Sequence, residues 1–147
     1  MTAAQVIDAA TSDTYEFGIV RLKLLAASAI TNGAFAFGEF SGRQGPWTVP
    51  HIHEKSEESF YVLDGNFTFT LGHEEVEARP GSFILVPRGT RHLMRAGADG
   101  GRFLILWTPG GLEQMFVELS KLPADSLRDP EVRKMLSSRF DSIPVEG

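Results

Sequence analysis

The stretch GPWTVPHIHEKSEESFYVLDG, residues 45–65, concentrates side chains that bind metal ions. It holds two of the four histidines in the chain, His51 and His53, and two carboxylates, Glu57 and Glu58, follow within five residues of the second. The apolar run after Glu58 predicts a strand that ends in a turn at Asp64-Gly65, a dipeptide typical of β-hairpins. This stretch therefore predicts the first half of a metal site.

Strand geometry brings the two histidines to one side. Residues 47–53 are predicted to form a strand, in which residues two positions apart lie on the same face. The backbone positions of His51 and His53 are then about 6–7 Å apart, so that both imidazoles can reach one ion. Glu58 begins the next antiparallel strand and could close a third side. Glu57 is the alternative carboxylate, and we expect it to be a solvated loop acid.

A third imidazole is available further along the chain. His92 follows a predicted turn at residues 87–89 and begins a predicted strand, whereas His73 lies in a turn beside acidic residues and is expected at the surface. The chain has no cysteine, so a metal must bind nitrogen and oxygen ligands. Three neutral imidazoles and one carboxylate suit one divalent ion of Fe, Mn, Co, Ni, Cu or Zn.

Length and composition restrict the class of protein. The chain has 147 residues, 42% of them hydrophobic, which suits one domain with a real core. Its net charge of −5 argues against a protein that binds nucleic acid through phosphates. The N-terminus shows no basic region followed by a long apolar run, and no stretch is long enough to cross a bilayer. We therefore expect a cytoplasmic protein with no membrane or nucleic-acid partner.

Short strands separated by turns predict most of the fold. Between residues 15 and 109 they recur every 8–12 residues, which is typical of an antiparallel sandwich or barrel. One predicted loop spans residues 97–101 and separates two of these strands. After Pro109 the apolar residues change to helical spacing, and Asp129-Pro130 predicts the start of a second helix. We predict a single domain with an N-terminal arm (1–14), a β-barrel (15–109) and a helical segment (110–140).

The spacing of these residues resembles the two sequence signatures of the cupin superfamily. The first signature is glycine, five residues, His-x-His, three or four residues, Glu, six residues and glycine, which Gly45, His51, His53, Glu58 and Gly65 match. The second is glycine, five residues, Pro-x-Gly, two residues, His, three residues and Asn. Its matches are Gly81, Pro87, Gly89 and His92, with Ala96 in place of the asparagine.

This resemblance implies a fold and a ligand set. Cupins are all-β jelly-roll barrels, also called double-stranded β-helices, and here two C-terminal α-helices would pack on the barrel. The ligands of the family correspond to His51, His53, Glu58 and His92. Many cupins are dimers, so a homodimer is expected. The run from Pro80 to Gly89 and the entry to the first helix are similar to small single-domain cupins of the quercetin 2,3-dioxygenase type.

The function implied by the resemblance is a metal-dependent dioxygenase acting on a small aromatic or enolisable substrate. Glu58 would be a ligand that can detach and act as a base. Trp47 and Met94 are predicted to line the pocket because they share strand faces with His51 and His92. Phe37 and Trp107 complete the predicted substrate-binding set. The alternatives are a metal-dependent cyclase or isomerase that needs no oxygen, and a non-catalytic cupin that binds a small molecule.

Overall fold

The structure of the protein, a computed structural model, describes residues 3–145. Within this range there are ten strands, two α-helices and two short 3₁₀ turns. The strands are β1 (Thr14–Phe17), β2 (Val20–Ala26), β3 (Ala36–Gly42), β4 (Gly45–Pro46), β5 (His51–Ile52), β6 (Glu57–Leu71), β7 (Glu74–Ala78), β8 (Phe83–Val86), β9 (His92–Thr108) and β10 (Ile143–Pro144). The helices are α1 (Glu113–Leu119) and α2 (Pro130–Arg139), and the 3₁₀ turns are Ala9–Thr11 and Ser126–Arg128.

Two long strands organise the antiparallel sheet. β9 pairs with β6 along most of its length and with β3, β4 and β5 on its other side. β2 and β1 extend the sheet beyond β3, whereas β7 and β8 pair with β6. The hydrogen-bonded path is open and runs from β1 to β10. An all-β sheet with two C-terminal helices is therefore present, as the fold class predicted from the sequence requires.

The core is aromatic and lies between the strands and α1. Phe60, Phe67 and Phe103 are almost fully buried and meet in edge contacts, with ring centroids 5.1 Å apart for both Phe60–Phe103 and Phe67–Phe103. Phe116 of α1 packs edge-on against Phe40 of β3 at a centroid distance of 5.1 Å. Edge-to-face pairs of this kind add to the free energy gained from burial. The first helix is thus part of the core.

Acidic side chains at the N-termini of both helices accept backbone hydrogen bonds. Asp129 caps α2 as predicted, because its carboxylate accepts a hydrogen bond from the backbone N–H of Glu131. At the start of α1 the buried Glu113 carboxylate accepts from the backbone N–H groups of Ser28 (2.7 Å) and Gly111 (2.6 Å). Burial would raise the pKa of Glu113, but these amides hold it below its usual value. The contact ties α1 to the loop after β2.

The prediction of a hairpin turn at Asp64-Gly65 is wrong, because these residues lie inside a strand. β6 runs without interruption from residue 57 to 71, and its register with β9 shifts on either side of these two residues. Gly65 has φ +75°, so the residue type that suits a turn is used here for a bulge inside a strand. Sequence alone does not distinguish the two uses, because both need a residue that tolerates positive φ.

Two further boundaries differ from the prediction. Residues 97–101 belong to β9, where four residues, 97–100, lie opposite the single Asn66 of β6. The predicted strand 47–53 is reduced to residues 51–52, since Pro50 has no N–H to donate and Thr48 offers its side-chain oxygen, not its carbonyl, to the N–H of Met94. The predicted arm contains a 3₁₀ turn, and its residues 1 and 2 lie outside the described residues. That the chain forms a single domain stays a prediction.

Within residues 3–145, no helix is long and apolar enough to cross a membrane.

A substitution at Gly65 is expected to destabilise the fold. A Cβ atom there would collide with the carbonyl oxygen of Gly100, and the residue also keeps φ +75°. Gly65→Ala should lower the free energy of unfolding by about 2–4 kcal/mol, measured by urea denaturation. Gly72→Ala is the matched control, since Gly72 has φ +65° and open space around it, and should cost about 1 kcal/mol. Equal losses in the two variants would mean that the collision is relieved without cost.

Candidate metal centre

Four side chains from three strands and one loop meet inside the sheet. His51 lies in β5 directly opposite His92, the first residue of β9. His53 follows β5, and Glu58 is the second residue of β6. All four are buried, and one ligand atom from each lies within 4.8 Å of the others. The structure therefore brings together the four residues that the sequence analysis selected as ligands.

Each histidine is oriented by a backbone carbonyl. The Nδ1 atom of His51 lies 2.6 Å from the carbonyl oxygen of Val49. The corresponding distances are 2.5 Å from His53 to Asp141 and 2.9 Å from His92 to Thr90. A carbonyl oxygen can only accept, so each Nδ1 carries the proton and a neutral ring keeps its Nε2 lone pair. This orientation by outer partners is typical of histidines that bind metals.

The Glu58 carboxylate completes the group. Its Oε1 atom is 2.9 Å from Nε2 of His92 and 3.0 Å from Nε2 of His53. Its Oε2 atom accepts a hydrogen bond of 2.7 Å from the indole N–H of Trp107. Despite the 3.0 Å approach, Nε2 of His53 has no hydrogen bond of acceptable geometry and is fully buried. The two atoms are close but misaligned, and hydrogen bonds weaken steeply when misaligned.

This arrangement fits a cation. With Nδ1 protonated, the lone pairs of His53 and His92 face a carboxylate oxygen at about hydrogen-bond distance. Electron-rich atoms repel at this separation unless a proton or a metal ion lies among them. The buried, unpaired Nε2 of His53 is the expected sign of a ligand whose partner is an ion. The group could therefore bind a metal, and its nitrogen and oxygen donors suit a first-row divalent ion.

The electrostatics favour the protonation states that coordination needs. Burial, followed by the nearby His92 and His53, lowers the pKa of His51 to about 3, which keeps this ring neutral. Burial would raise the pKa of Glu58, but His53 and His92 hold it well below its usual value, so the carboxyl is ionised. Burial opposes a charge on His53, yet the adjacent Glu58 raises its pKa overall. A metal ion would take the place of the proton that His53 attracts.

A segment that follows α2 also belongs to this site, and sequence analysis missed it. Besides the Asp141 carbonyl that accepts from His53, the Asp141 carboxylate accepts from the backbone N–H groups of Glu54 and Lys55, both at 2.8 Å, and from the hydroxyl of Ser56 at 2.9 Å. β10 then pairs with β5, placing Pro144 opposite His51. No local pattern signals these contacts, because Asp141 is 88 residues from His53.

A largely apolar cavity adjoins the centre. His51 and Glu58 form part of its wall, and aromatic, aliphatic and methionine side chains form most of the rest. The lining includes Val20, Phe40, Phe60, Met94, Phe103 and Ile105 from the sheet, Trp47 from the segment after β4, and Met115, Phe116 and Leu119 from α1. A ligand in this cavity would contact the candidate metal centre on one side and aromatic rings on the others.

Of the four residues predicted to bind substrate, only two line the cavity. Trp47 and Met94 line the cavity. Phe37 does not line it, contrary to the prediction, because the inward face of β3 carries Ala36 and Phe40 and residue 37 points to the other side. Trp107 is absent from the wall, since it is completely buried behind Glu58 and binds that carboxylate. Phe40 takes the place that the sequence analysis gave to Phe37.

The remaining polar candidates lie outside the group. Glu57 pairs with Arg88 through a short ion pair, and both side chains are partly exposed. Arg88 is therefore already matched by a carboxylate and does not line the cavity. His73 is exposed in the turn between β6 and β7. The surface position predicted for His73 is thus confirmed.

The fold and the site together define the class of protein. Residues 41–109 match the family described as Cupin domain, and the chain resembles small cupins. It resembles the quercetin 2,3-dioxygenases of Bacillus subtilis (strain 168), with 32% identity over 94 residues, and of Aspergillus japonicus, with 29% identity over 104 residues. These alignments cover 64% and 67% of this chain but 28% and 29% of the two enzymes. The chain thus matches less than a third of the length of either relative.

Solved structures share the fold. KdgF from Halomonas sp. superposes with a TM-score of 0.68 at 19% identity, covering 76% of this chain and 99% of KdgF. The polyketide cyclase RemF from Streptomyces resistomycificus superposes with a TM-score of 0.62 at 26% identity, covering 72% of this chain and 80% of RemF. The first similarity concerns the fold alone, whereas the second also includes a modest sequence similarity.

Proposed function

We propose that the protein is a metal-dependent oxygenase that acts on a small aromatic or enolisable substrate. One observation carries the proposal: the ligand atoms of three histidines and Glu58 converge to within 4.8 Å beside an aromatic cavity. The similarity to two quercetin 2,3-dioxygenases supports oxygen chemistry over the other reactions of the fold. The proposed metal ligands are His51, His53, Glu58 and His92.

In the proposed reaction, the metal ligands, Glu58 and the cavity residues would have different roles. A bound divalent ion would supply a Lewis acid with open coordination positions. Trp107 holds Oε2 of Glu58, so Oε1, which faces His53 and His92, would be the atom that accepts a substrate proton when it is not bound to the metal. Trp47, Met94 and Phe40 would hold an apolar ring in the cavity and exclude water, which strengthens electrostatic interactions there.

A second candidate function also uses the metal centre but consumes no oxygen. A cyclase or isomerase would use the ion to polarise a carbonyl, with Glu58 again as the proton acceptor. The observation that favours it is the similarity to the polyketide cyclase RemF. The same ligands and the same cavity would serve either reaction, so the consumption of oxygen is the property that separates them.

Oxygen uptake is the decisive measurement. The protein, loaded in turn with Fe²⁺, Mn²⁺, Co²⁺, Ni²⁺, Cu²⁺ or Zn²⁺, is mixed with flavonols and enolisable diketones in an oxygen-electrode cell. We expect stoichiometric oxygen consumption with at least one redox-active metal, and at least about a hundredfold slower rates in Glu58→Gln, because proton transfer by a positioned side chain contributes about 10²–10⁴-fold.

Two other outcomes of this experiment would contradict the oxygenase proposal. Product formed without oxygen uptake would contradict the oxygenase and favour the cyclase or isomerase. Ligand binding that is unchanged by metal removal, with no product from any substrate, would indicate a non-catalytic binding protein. Glu57→Gln is the matched control for Glu58→Gln, since Glu57 faces Arg88 outside the group.

A homodimer also stays a proposal. Tyr61, Phe83 and Leu85 on the outer face of β6 and β8 are 45%, 64% and 52% exposed, and Tyr61 lies opposite Phe83. Neighbouring exposed apolar side chains of this kind favour association. Light scattering should give twice the mass of the chain, and a monomer mass at micromolar concentration would contradict the proposal. A cytoplasmic location is likewise proposed and is tested by fractionation of the source cells.

A further inference from the structure

Trp107 lies directly opposite Glu58 where β9 pairs with β6. Residues opposite each other in an antiparallel pair point to the same face of the sheet, so the indole and the carboxylate can meet. The Nε1–H group of Trp107 donates to Oε2 of Glu58 over 2.7 Å, and both side chains are buried. Phe40 and Phe116 pack against the indole at centroid distances of 6.1 and 5.7 Å. The donor is therefore held in place and shielded from water.

The two oxygens of Glu58 have different surroundings. Oε1 lies 2.9 and 3.0 Å from the Nε2 atoms of His92 and His53, among the candidate ligands, whereas Oε2 accepts from the indole. The indole has a single N–H donor, and Oε2 is the acceptor that satisfies it. If the carboxylate turned so that both oxygens approached an ion, this buried N–H would lose its acceptor, which is unfavourable.

We propose that Trp107 is a positioning residue that keeps Glu58 bound to the metal through Oε1 alone. A carboxylate can bind a divalent ion through one oxygen or through both, and the second mode uses one more coordination position. By holding Oε2, the indole reserves that position for a molecule that enters from the cavity, whose wall includes His51 and Glu58. This inference rests on the metal centre of the proposed function, and it adds the residue that determines how Glu58 binds.

Trp107→Phe tests this role, because it keeps a buried aromatic ring and removes the donor. The variant and the wild type are loaded with Co²⁺, and visible absorption is recorded before and during a titration with azide, a small anion that binds open coordination positions. We expect weaker visible bands in Trp107→Phe, since an additional oxygen ligand brings Co²⁺ closer to octahedral symmetry. Azide should bind roughly tenfold more weakly to the variant, because it has to displace an oxygen that the lost hydrogen bond no longer restrains.

Two further proteins separate the hydrogen bond from packing. Trp47→Phe makes the same chemical change where the indole donates to the carbonyl oxygen of Arg43 at 2.9 Å, so it should keep the wild-type Co²⁺ spectrum. The chain has two tryptophans, so the analogue benzothienylalanine, supplied to cells that express Trp47→Phe, enters at residue 107 alone. This analogue keeps the shape of the indole and has sulfur in place of the N–H. It should reproduce the weaker bands and the weaker azide binding, and circular dichroism melting confirms that each protein folds.

The protein that contains the analogue decides the outcome. The proposal is overturned if this protein keeps the spectrum and the azide affinity of Trp47→Phe, even where Trp107→Phe changes them, because lost packing would then be the cause. It is also overturned if Trp47→Phe alone weakens the bands as much as Trp107→Phe does.

Oxygen uptake by the same preparations separates this inference from the proposed function. Weaker bands and weaker azide binding after loss of the N–H, without oxygen uptake by the wild type loaded with any of the metals, would support the role of Trp107 and contradict the oxygenase. Oxygen uptake by a wild type whose Co²⁺ spectrum does not depend on this N–H would have the opposite meaning.

Discussion

His92→Ala is expected to reduce the affinity for divalent transition metals at least about a hundredfold, because the loss of an outer partner alone costs about 10–100-fold and this change removes a ligand. His92 is completely buried, and its Nε2 lies 2.9 Å from Glu58. Alanine leaves the centre with two imidazoles and the carboxylate. Elemental analysis after dialysis should show close to one ion per chain in the wild type and almost none in the variant.

His73→Ala is the control with the same chemical change. This histidine is exposed in a turn and is not part of the group, so its removal should leave the metal content unchanged. Because a buried alanine can disturb packing, the unfolding of both variants is measured without metal, and His51→Ala is tested in parallel. Wild-type metal content in folded His92→Ala and His51→Ala would refute the ligand set.

Asp141→Ala is expected to affect stability and metal binding together. The carboxylate accepts three hydrogen bonds from residues 54–56, and the carbonyl of the same residue orients His53. Losing bonds to a partly exposed charged group should lower the free energy of unfolding by about 2–4 kcal/mol. Displacing the carbonyl should weaken metal binding about 10–100-fold, as for other outer partners of ligand histidines. Chemical denaturation and a Co²⁺ titration followed by visible absorption measure the two effects.

A substitution at Asp129 tests whether a loss of stability by itself changes metal binding. Asp129→Ala removes the N-terminal cap of α2 and should cost about 1 kcal/mol while leaving the Co²⁺ affinity and spectrum unchanged. Asp141→Asn keeps a side-chain acceptor and should recover part of both losses. If Asp141→Ala lowered stability with an unaltered Co²⁺ spectrum, the carbonyl of residue 141 would hold its place without the carboxylate, and the Asp141 side chain would have no role in orienting His53.

The features that could be predicted from the sequence are those defined by residues at short, fixed separations along the chain. His51 and His53 are two residues apart in an extended segment, and each signature places a strand and a turn at fixed positions along the chain. These local relations are enough to recognise the resemblance to cupins and the fold class, and the family match and the solved structures confirm both. They also select the four residues that the structure brings together. That these residues hold a metal stays a prediction.

The parts that could not be predicted depend on register and on distant partners. Phe37 and Phe40 belong to the same strand, and a shift of one position decides which aromatic ring enters the cavity. Asp64-Gly65 has the composition of a turn but lies inside β6, since the choice between turn and bulge depends on the approach of Gly100 from β9. Asp141 comes from the segment after α2, whose local sequence pattern carries no sign of the site.

The pairing of β10 with β5 fixes the order in which the centre is completed during synthesis. A nascent chain that ends at Phe140 already contains the four candidate ligands, yet it lacks the carbonyl that orients His53 and the strand that covers His51. Because chains emerge from the ribosome starting at the N-terminus, the site becomes complete only after the sheet has been made. A metal ion would then find the complete group only after residues 141–145 have emerged, and a proteolytic cut just after α2 would leave most of the fold while removing the outer support of the centre.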